Sequence, residues 1–338
     1  MSGAGAERRP TIGHFVAYLL GRAVFGVLAL LPLGAARGCG RGLGRLFWWI
    51  SARHRRIARG NLTIAFAGAL GARERDRIAR ASFAHLGAIV GDATHFREHL
   101  RRPTGELAVY EGLEHLEAAR AAGRGILVFS GHFGHWEMVA LLQHRLGVPM
   151  TMVVAPLENR LWDRFITRLR AAPGNAVLSK RKAARPILRT LREGGAIAIL
   201  IDQNVRGDAG IFVDFFGLAA STTPALATLA YRSGAVILPV FSWFRDDGRL
   251  QIAYRAPLAA VRRGAIEDDV RALTRACTAL LEAEVRERPA MWLWMHDRWR
   301  TRPHPATPAA PRAPERAPGT GLGAPPAPPT SFATGLRR

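Results

Sequence analysis

Cysteine, lysine and long apolar runs are all scarce in this sequence. Its 338 residues contain only two cysteines, Cys39 and Cys277, which excludes a disulfide framework or a Cys-based zinc site and suits a reducing compartment. Only one apolar stretch approaches the length that spans a bilayer, which argues against a polytopic membrane protein. The 49% of apolar residues exclude a wholly disordered chain, and the length allows one large domain or two small ones.

The charge is strongly positive, and arginine carries nearly all of it. Lys and Arg number 48 against 26 Asp and Glu, giving a formal net charge of +22, and Lys180 and Lys182 are the only lysines. Arginine suits forked recognition of phosphate, although a GC-rich genome produces the same bias. A basic surface typically meets nucleic acid or an anionic membrane, so both classes of partner remain open at this point.

The single long apolar run covers residues 15–36 and is interrupted only by Arg22. As a helix it would measure roughly 33 Å, enough to cross the hydrocarbon core of a bilayer. A cleaved signal peptide is disfavoured because Arg37 follows at once without a clear cleavage site, which leaves a buried core helix as the other alternative. We therefore predict a flexible N-terminus over residues 1–11 and a membrane-anchor helix over residues 12–36.

The segment after this run is basic and aromatic. Between Arg37 and Arg59 there are seven arginines and no acidic residue, interleaved with the apolar residues 47–50 (Phe-Trp-Trp-Ile). This combination is typical of a face that contacts an anionic membrane surface on the cytoplasmic side. The alternative is a solvated helix whose tryptophans belong to the core.

The rest of the chain alternates between short strands and helices. A helical pattern covers residues 73–99, and further helices are predicted over 134–146, 159–171, 183–193, 224–233 and 267–288. Strands are predicted over 125–130, 150–154, 196–201, 236–241 and 250–254. This alternation indicates an α/β domain over residues 37–300. Residues 301–338 are rich in Pro, Ala and Arg, and we predict that they form a disordered low-complexity tail.

One segment carries recognisable chemistry, residues 130–137 (SGHFGHWE), where a predicted strand ends and a helix begins. His132 and Glu137 can form a dyad in which the carboxylate accepts from one ring nitrogen and the other nitrogen removes a proton from a substrate hydroxyl. A metal site that includes His135 is disfavoured, because the spacing matches no zinc signature. In the plainer alternative, both histidines are structural residues near a helix start.

Several motifs follow one another in a fixed order. They are His132-x4-Glu137, then Asn159, Asp163 and Arg170, then Asp202-Gln203-Asn204, then residues 211–217 (IFVDFFG), 222–224 (TTP) and 289–299 (PAMWLWMHDRW). Together they resemble the bacterial lipid A biosynthesis acyltransferases and their lysophospholipid-acyltransferase-like relatives, over about residues 12–300. The sequence departs from that pattern at Ala155-Pro156, where the family carries Arg-Pro, and at Asn204, where the Asp-x-Asp form of the family carries a second Asp. Both departures remove charge from the environment expected for the polar acceptor, so the sequence leaves the acceptor class open.

The resemblance implies an α/β glycerolphosphate-acyltransferase-like fold, with a mixed central sheet flanked by helices. It also implies an enzyme of the inner membrane, with its active site facing the cytoplasm, that moves a fatty acyl chain from an acyl-carrier thioester (acyl-ACP or acyl-CoA) to a hydroxyl of a lipid A precursor or related glycolipid. No metal or redox cofactor is implied. Alternatives are a lysophospholipid or mannoside-type acceptor, a hydrolase that uses the same dyad on water, and a basic nucleic-acid-binding protein.

The resemblance also implies roles for individual residues. His132 is the general base and Glu137 orients it. The predicted substrate-binding residues are Arg170, Asp202, Lys180 and Asn159, and Arg170 would bind phosphate through its forked guanidinium. Asp202 follows a buried strand, so its carboxylate should lie at the same sheet edge as His132. There it would position a substrate hydroxyl or a basic side chain, or else only cap the next turn. Backbone N–H groups near Gly134 are candidate oxyanion donors, and Trp292, Trp294 and Trp299 are expected to pack the domain or to enter lipid.

Overall fold

The computed structural model describes residues 10–180 and 183–303. Residues 1–9 of the N-terminal segment that is predicted to be flexible lie outside the described residues. Residues 304–338 of the predicted disordered tail also lie outside them. Lys182 is also outside them, whereas Lys180 is described.

The N-terminal region forms three helices, α1 (Ile12–Ala29), α2 (Leu33–Ile50) and α3 (Ala52–Phe66). The apolar run expected to be one helix as far as residue 36 is therefore divided. Pro32 causes the break, because it has no backbone N–H to donate to the preceding turn. By length and composition α1 is able to cross a membrane, and only 6% of it is buried.

Helix α2 packs against α4 (Ala72–Ala93) with the two backbones in direct contact. A Cβ atom on Gly87 would lie 2.0 Å from the carbonyl oxygen of Gly40, and one on Gly44 would lie 2.1 Å from the carbonyl oxygen of Phe83. Only glycine allows so close an approach. The glycine-rich sequence of α2 is therefore explained by its packing against α4.

The remaining described elements form a layered α/β domain. They are α5 (Phe96–His99), α6 (Thr104–Leu107), β1 (Ala108–Glu111), α7 (Leu113–Ala121), β2 (Ile126–Ser130), α8 (Trp136–Arg145), β3 (Met150–Val154), α9 (Arg160–Ala171), β4 (Ala176–Ser179), α10 (Ala184–Arg192), β5 (Ala196–Leu200), β6 (Ile211–Phe215), β7 (Leu218–Thr222), α11 (Ala225–Ser233), β8 (Val236–Phe244), β9 (Leu250–Tyr254) and α12 (Ile266–Glu287).

Seven strands form one sheet in the order β1-β9-β8-β2-β5-β3-β4. Strands β8 and β9 pair antiparallel and the other neighbours in this sheet pair parallel, while β6 and β7 form a separate antiparallel hairpin. This confirms the predicted mixed central sheet flanked by helices.

Both faces of the sheet are covered, as strand β2 shows. Leu127 and Phe129 belong to one buried cluster, whereas Ile126 and Val128 belong to a second one. Because successive side chains of a strand point to opposite faces, these two clusters lie on the two sides of the sheet. A strand that is buried on both faces has a continuous apolar sequence, and β2 was predicted from such a run.

Candidate active site

His132 and Asp202 meet at the carboxyl ends of two neighbouring parallel strands. Ser130 at the end of β2 pairs with Leu200 at the end of β5, so the residues two positions further along lie side by side. The ring Nδ1 of His132 is 2.8 Å from Asp202 Oδ1, and the backbone N–H of His132 donates to Oδ2 at 2.7 Å. The predicted position of Asp202 at the sheet edge of His132 is confirmed.

Glu137 has a different partner from the one predicted. Its carboxylate accepts two hydrogen bonds from Arg170, at 2.9 Å from Nε and 2.5 Å from Nη2, and a third from the indole of Trp136 at 3.1 Å. The position at Nδ1 of His132 is taken by Asp202, which corrects the predicted His132–Glu137 hydrogen bond. The reason is geometric: Glu137 lies in the first turn of α8 and is directed to α9, which carries Arg170.

The two carboxylates set the electrostatics of His132. Burial alone would lower the pKa of the imidazole, but the charge of Asp202 and its hydrogen bond to the ring outweigh burial, and the pKa is raised. The charge of Glu137 raises the pKa further, against an opposing contribution from Arg170. The protonated form of His132 is therefore more favoured in this site than it would be in water.

Asp202 is held in its ionised form. Burial alone would raise the pKa of this carboxyl, but the charge of His132 and the hydrogen bonds from the ring and backbone of His132 and from the indole of Trp292 lower it to about 2. Because an ionised carboxylate only accepts hydrogen bonds, Nδ1 of His132 carries the proton. The other ring nitrogen, Nε2, is then available as an acceptor.

The tryptophan-rich segment, residues 289–299, closes the site from one side. Trp292 donates its indole N–H to Asp202 Oδ2 at 2.8 Å, and the backbone N–H of Leu293 donates to the carbonyl of His132 at 3.1 Å. Trp292, Trp294 and Trp299 are all buried, which confirms that they pack the domain. The contact between Trp292 and Asp202 was not anticipated, since an indole in an apolar segment looks like a core residue.

The loop between His132 and α8 is held by backbone hydrogen bonds to two neighbouring segments. Gly134 has a left-handed φ of 55°, and a Cβ atom there would lie 1.3 Å from the carbonyl oxygen of Ser242 in β8. The backbone N–H of Gly134 donates to Met291 at 2.9 Å, and that of His135 donates to Ser242 at 3.2 Å. These two N–H groups are already bonded, so Gly134 and His135 themselves are not oxyanion donors in this arrangement.

The reactive side of His132 faces Gln203 and Trp136. The side-chain nitrogen of Gln203 lies 3.4 Å from His132 Nε2, and the ring of Trp136 contacts the imidazole edge-to-face with centroids 5.2 Å apart. The His132 side chain is 18% exposed, so a substrate can reach it. The sequence pattern assigns no role to Gln203, and only the structure brings it to the ring.

A small apolar cavity of about 80 Å³ adjoins the Glu137–Arg170 pair. Its walls come from β2, β3, β5 and α8 and include Val128, Met150 and Met152. The volume is below the roughly 300 Å³ of ordinary ligand pockets, so an acyl chain would have to enlarge it. Methionine side chains adapt easily to such a change.

The other predicted substrate residues lie apart from this group. Asn159 caps α9, where it accepts from the N–H of Leu161 at 3.0 Å and donates to the carbonyl of His14 at 2.8 Å, which is a structural role. Lys180 is exposed just after β4, three strands away from β2, or roughly 14 Å at the usual strand spacing. The structure therefore groups His132, Asp202, Glu137 and Arg170, while the binding roles of Lys180 and Asn159 remain predictions.

A second set of polar contacts fixes the chain after Asp202. The backbone N–H of Asn204 donates to His296 Nε2 at 2.9 Å, and the Asn204 side chain exchanges hydrogen bonds with Thr301 at 3.0 and 3.1 Å. Burial lowers the pKa of His296 despite the charge of Asp202 nearby. His296 thus serves as a neutral acceptor, which is a structural role.

The chain matches one protein family over nearly its whole described length. The model of the family described as bacterial lipid A biosynthesis acyltransferase matches residues 6–301. A lipid A biosynthesis acyltransferase of Haemophilus influenzae is 27% identical over 267 residues, which is 77% of this chain and 80% of that protein. A lipid A biosynthesis lauroyltransferase of Escherichia coli is 26% identical over 84% of this chain and 91% of its own length.

One further relative and one solved structure have other names. A phosphatidylinositol mannoside acyltransferase of Mycolicibacterium smegmatis is 30% identical over 235 residues, covering 66% of this chain and 73% of that protein. Among solved structures, the 1-acyl-sn-glycerophosphate acyltransferase of Thermotoga maritima aligns with a TM-score of 0.36 at 15% identity, over 76% of this chain and 99% of that one.

The α/β fold with a His–Asp pair at its sheet edge, taken with the family match and the lipid A acyltransferase relatives, defines the protein as an acyltransferase. The family match covers nearly the whole described chain, so the protein belongs to the bacterial lipid A biosynthesis acyltransferase family. Membership implies a lipid acceptor. Among the function classes that the sequence left open, this finding selects the enzyme.

Proposed function

We propose that this enzyme transfers a fatty acyl group from an acyl-carrier thioester, acyl-ACP or acyl-CoA, to a hydroxyl of a lipid A precursor or a related glycolipid. The observation that carries the proposal is the hydrogen bond between His132 Nδ1 and Asp202 at 2.8 Å. It orients the ring and leaves Nε2 as the base on the accessible side of the site. No side-chain nucleophile is needed, because the attacking oxygen belongs to the lipid.

The reaction proceeds by direct transfer. His132 Nε2 takes the proton of the acceptor hydroxyl while its oxygen attacks the thioester carbonyl carbon. The resulting tetrahedral intermediate collapses as the carbon–sulfur bond breaks, and the sulfur receives the proton from the imidazolium. The products are an ester and a free thiol. Asp202 stabilises the imidazolium in between, and general-base catalysis of this kind contributes roughly 10²–10⁴-fold to the rate.

Glu137 remains in the proposed catalytic set with a changed role. Its charge acts on His132 through space, while its carboxylate is bound to Arg170. We expect Arg170, whose side chain is 24% exposed, to recognise a phosphate on the acceptor. Lys180 would add charge further along the same edge of the sheet.

The proposed location is the inner membrane, with the active site on the cytoplasmic side. Helix α1 presents exposed Phe15, Leu19 and Leu20, while its other side packs on α9, where Phe25 and Phe165 have ring centroids 5.2 Å apart. The guanidinium of Arg22 lies 4.2 Å from the ring centroid of Phe165, which gives this charge an aromatic partner within an apolar helix. The catalytic domain and the anchor would thus form one packed unit.

A mannoside-type glycolipid is the second candidate acceptor. It is favoured by the name of the Mycolicibacterium smegmatis relative and by its 30% identity. A lysophospholipid acceptor would need the same base and no other catalytic group.

The test uses membranes that contain wild type or His132→Ala, supplied with labelled acyl-ACP or acyl-CoA and a panel of lipid acceptors. Mass analysis identifies the lipid that gains a chain, and we expect transfer to be lost in the variant while the protein stays membrane-bound at high salt. Acyl release without an acceptor at the same rate would indicate a hydrolase. Full transfer by His132→Ala would show that the proposed base is wrong.

A further inference from the structure

A basic groove lies between α3 and the first turns of α4, in a region that the acyl-transfer chemistry does not use. Its volume is about 630 Å³, which is within the usual range of ligand-binding pockets. We call it the arginine groove. Its charged lining consists of Arg59 from α3, and Arg73, Arg75, Asp76, Arg77 and Arg80 from α4.

Positive charge is in excess in the arginine groove. Asp76 accepts hydrogen bonds from Arg59 at 2.6 Å and Arg80 at 2.7 Å, so one carboxylate holds two guanidinium groups in place. Arg77 pairs with Glu74, while Arg73 has no acidic partner within the part of the chain that the structure describes. The N-terminus of α4 adds partial positive charge, and an anion is the ligand that balances this arrangement.

The arginine groove is bordered by exposed apolar side chains. The guanidinium of Arg80 lies 5.8 Å from the ring centroids of both Trp48 and Trp49. Trp49 is 67% exposed and Ile50 is 72% exposed. A ligand with a phosphate among the arginines would therefore have any attached apolar chain beside Trp49 and Ile50, as expected for an amphipathic molecule at a membrane interface.

We propose that the arginine groove binds the phosphate headgroup of an anionic membrane phospholipid, as a ligand that is held and not acylated. The charge alone would also suit an acidic protein, but the exposed Trp49 and Ile50 next to the guanidinium groups favour a lipid. The inference rests on the membrane location in the proposed function, and it adds a lipid site separate from His132.

The groove is connected to the active site through α3. Asn61, two residues after Arg59, donates from its side chain to the carbonyls of Trp294 at 2.8 Å and His296 at 2.7 Å. That segment also binds the backbone of His132 through Leu293. A phospholipid in the arginine groove would therefore set the orientation of the active site relative to the membrane surface.

The test measures binding of a soluble short-chain phosphatidylglycerol to the full chain in micelles of a neutral detergent. The groove variant is Arg73→Gln with Arg77→Gln, since both side chains are exposed. Each basic residue near an anionic headgroup contributes roughly fivefold in affinity, so we expect roughly 25-fold weaker binding. The matched control, Arg192→Gln with Arg262→Gln, removes the same charge from exposed positions elsewhere and should leave the affinity nearly unchanged.

Three outcomes would overturn the proposal. The first is equal affinity in the groove variant and the control. The second is displacement of phosphatidylglycerol by inorganic phosphate at equal concentration, which would indicate a free-phosphate site. The third is binding of an acidic acyl-carrier protein through the same arginines without binding of the lipid. His132→Ala separates this test from the proposed function, because it should abolish acyl transfer and still bind phosphatidylglycerol like wild type.

Discussion

The Asp202 carboxylate accepts two hydrogen bonds from His132, one from the ring Nδ1 at 2.8 Å and one from the backbone N–H at 2.7 Å. One carboxylate thus fixes both the ring and the backbone of the proposed base. The indole of Trp292 binds the second oxygen as well, so rotation of the carboxylate would break several contacts at once. The geometry of His132 is therefore set by β5 and the tryptophan-rich segment.

Asp202→Asn should reduce kcat by roughly 10²–10⁴-fold, because an amide neither stabilises the imidazolium nor enforces the Nδ1–H tautomer. Asp202 raises the pKa of His132, and the base must be neutral, so wild-type activity rises with pH through that raised pKa. The residual activity of the variant should have its midpoint at a lower pH. A pH–rate profile measures both effects, and an unchanged midpoint with full activity would rule out a positioning role for Asp202.

Glu137→Gln should shift the same midpoint downward by less than Asp202→Asn does, because Glu137 acts on His132 through space and Asp202 through a direct hydrogen bond. Comparison of the two pH–rate profiles shows which carboxylate has the larger effect on the pKa of His132. If Glu137→Gln moved the midpoint further, the pairing predicted from the His-x4-Glu spacing would be the operative one. A double-mutant cycle with Arg170→Gln should give a coupling of about 0.5–3 kcal/mol in stability.

Gly44→Ala should destabilise the protein by about 1–3 kcal/mol, the usual cost of overpacking. The new methyl carbon would lie 2.1 Å from the backbone oxygen of Phe83, so α2 would have to move away from α4. Gly42→Ala on the same helix is the control, since nothing lies within 4 Å of its Cβ position. It should be neutral or stabilising by up to about 1 kcal/mol. Denaturant unfolding of both variants measures the difference, and equal stabilities would contradict the close packing of these helices.

Asp92→Asn should cost about 3–5 kcal/mol in the free energy of unfolding, because it breaks a buried ionic cluster. Asp92 is fully buried and binds Arg37, His99 and His135, with His135 Nε2 at 2.8 Å. The control is Glu74→Gln on the same helix, whose exposed pair with Arg77 should contribute no more than about 1 kcal/mol. A comparable loss in both variants would show that the cluster has no special importance.

The Asp92 cluster also predicts a pH dependence. Burial alone would raise the pKa of Asp92, but the charges of His135 and His99 and their hydrogen bonds hold it well below its ordinary value. A depressed pKa in the folded state adds stability above the unfolded pKa of about 4, and that stability is lost as the pH falls through the folded value. Wild type should lose stability more steeply than Asp92→Asn on acidification below about pH 4. Parallel unfolding curves would argue against this assignment.

Local patterns in the sequence predicted the regular elements that are long or fully buried. Strands β2 and β9 and helix α12 occur within a residue or two of their predicted limits, because a continuous apolar run or a helical repeat is visible without any partner. Strands β1 and β4 were not predicted. Each has only four residues and is partly exposed, so its pairing with a neighbour, and not its own composition, makes it a strand.

By itself the sequence determined that His132 follows a buried strand, that an apolar helix begins the chain, and that the motifs of an acyltransferase family occur in order. Only the tertiary structure decided which carboxylate binds His132. Glu137 is five residues away but belongs to a helix that directs it to Arg170, whereas Asp202 is 70 residues away and is brought to the ring by the register of β2 and β5. The distance between two such side chains depends on which strands pair and in what register, and separation along the chain does not reveal that pairing.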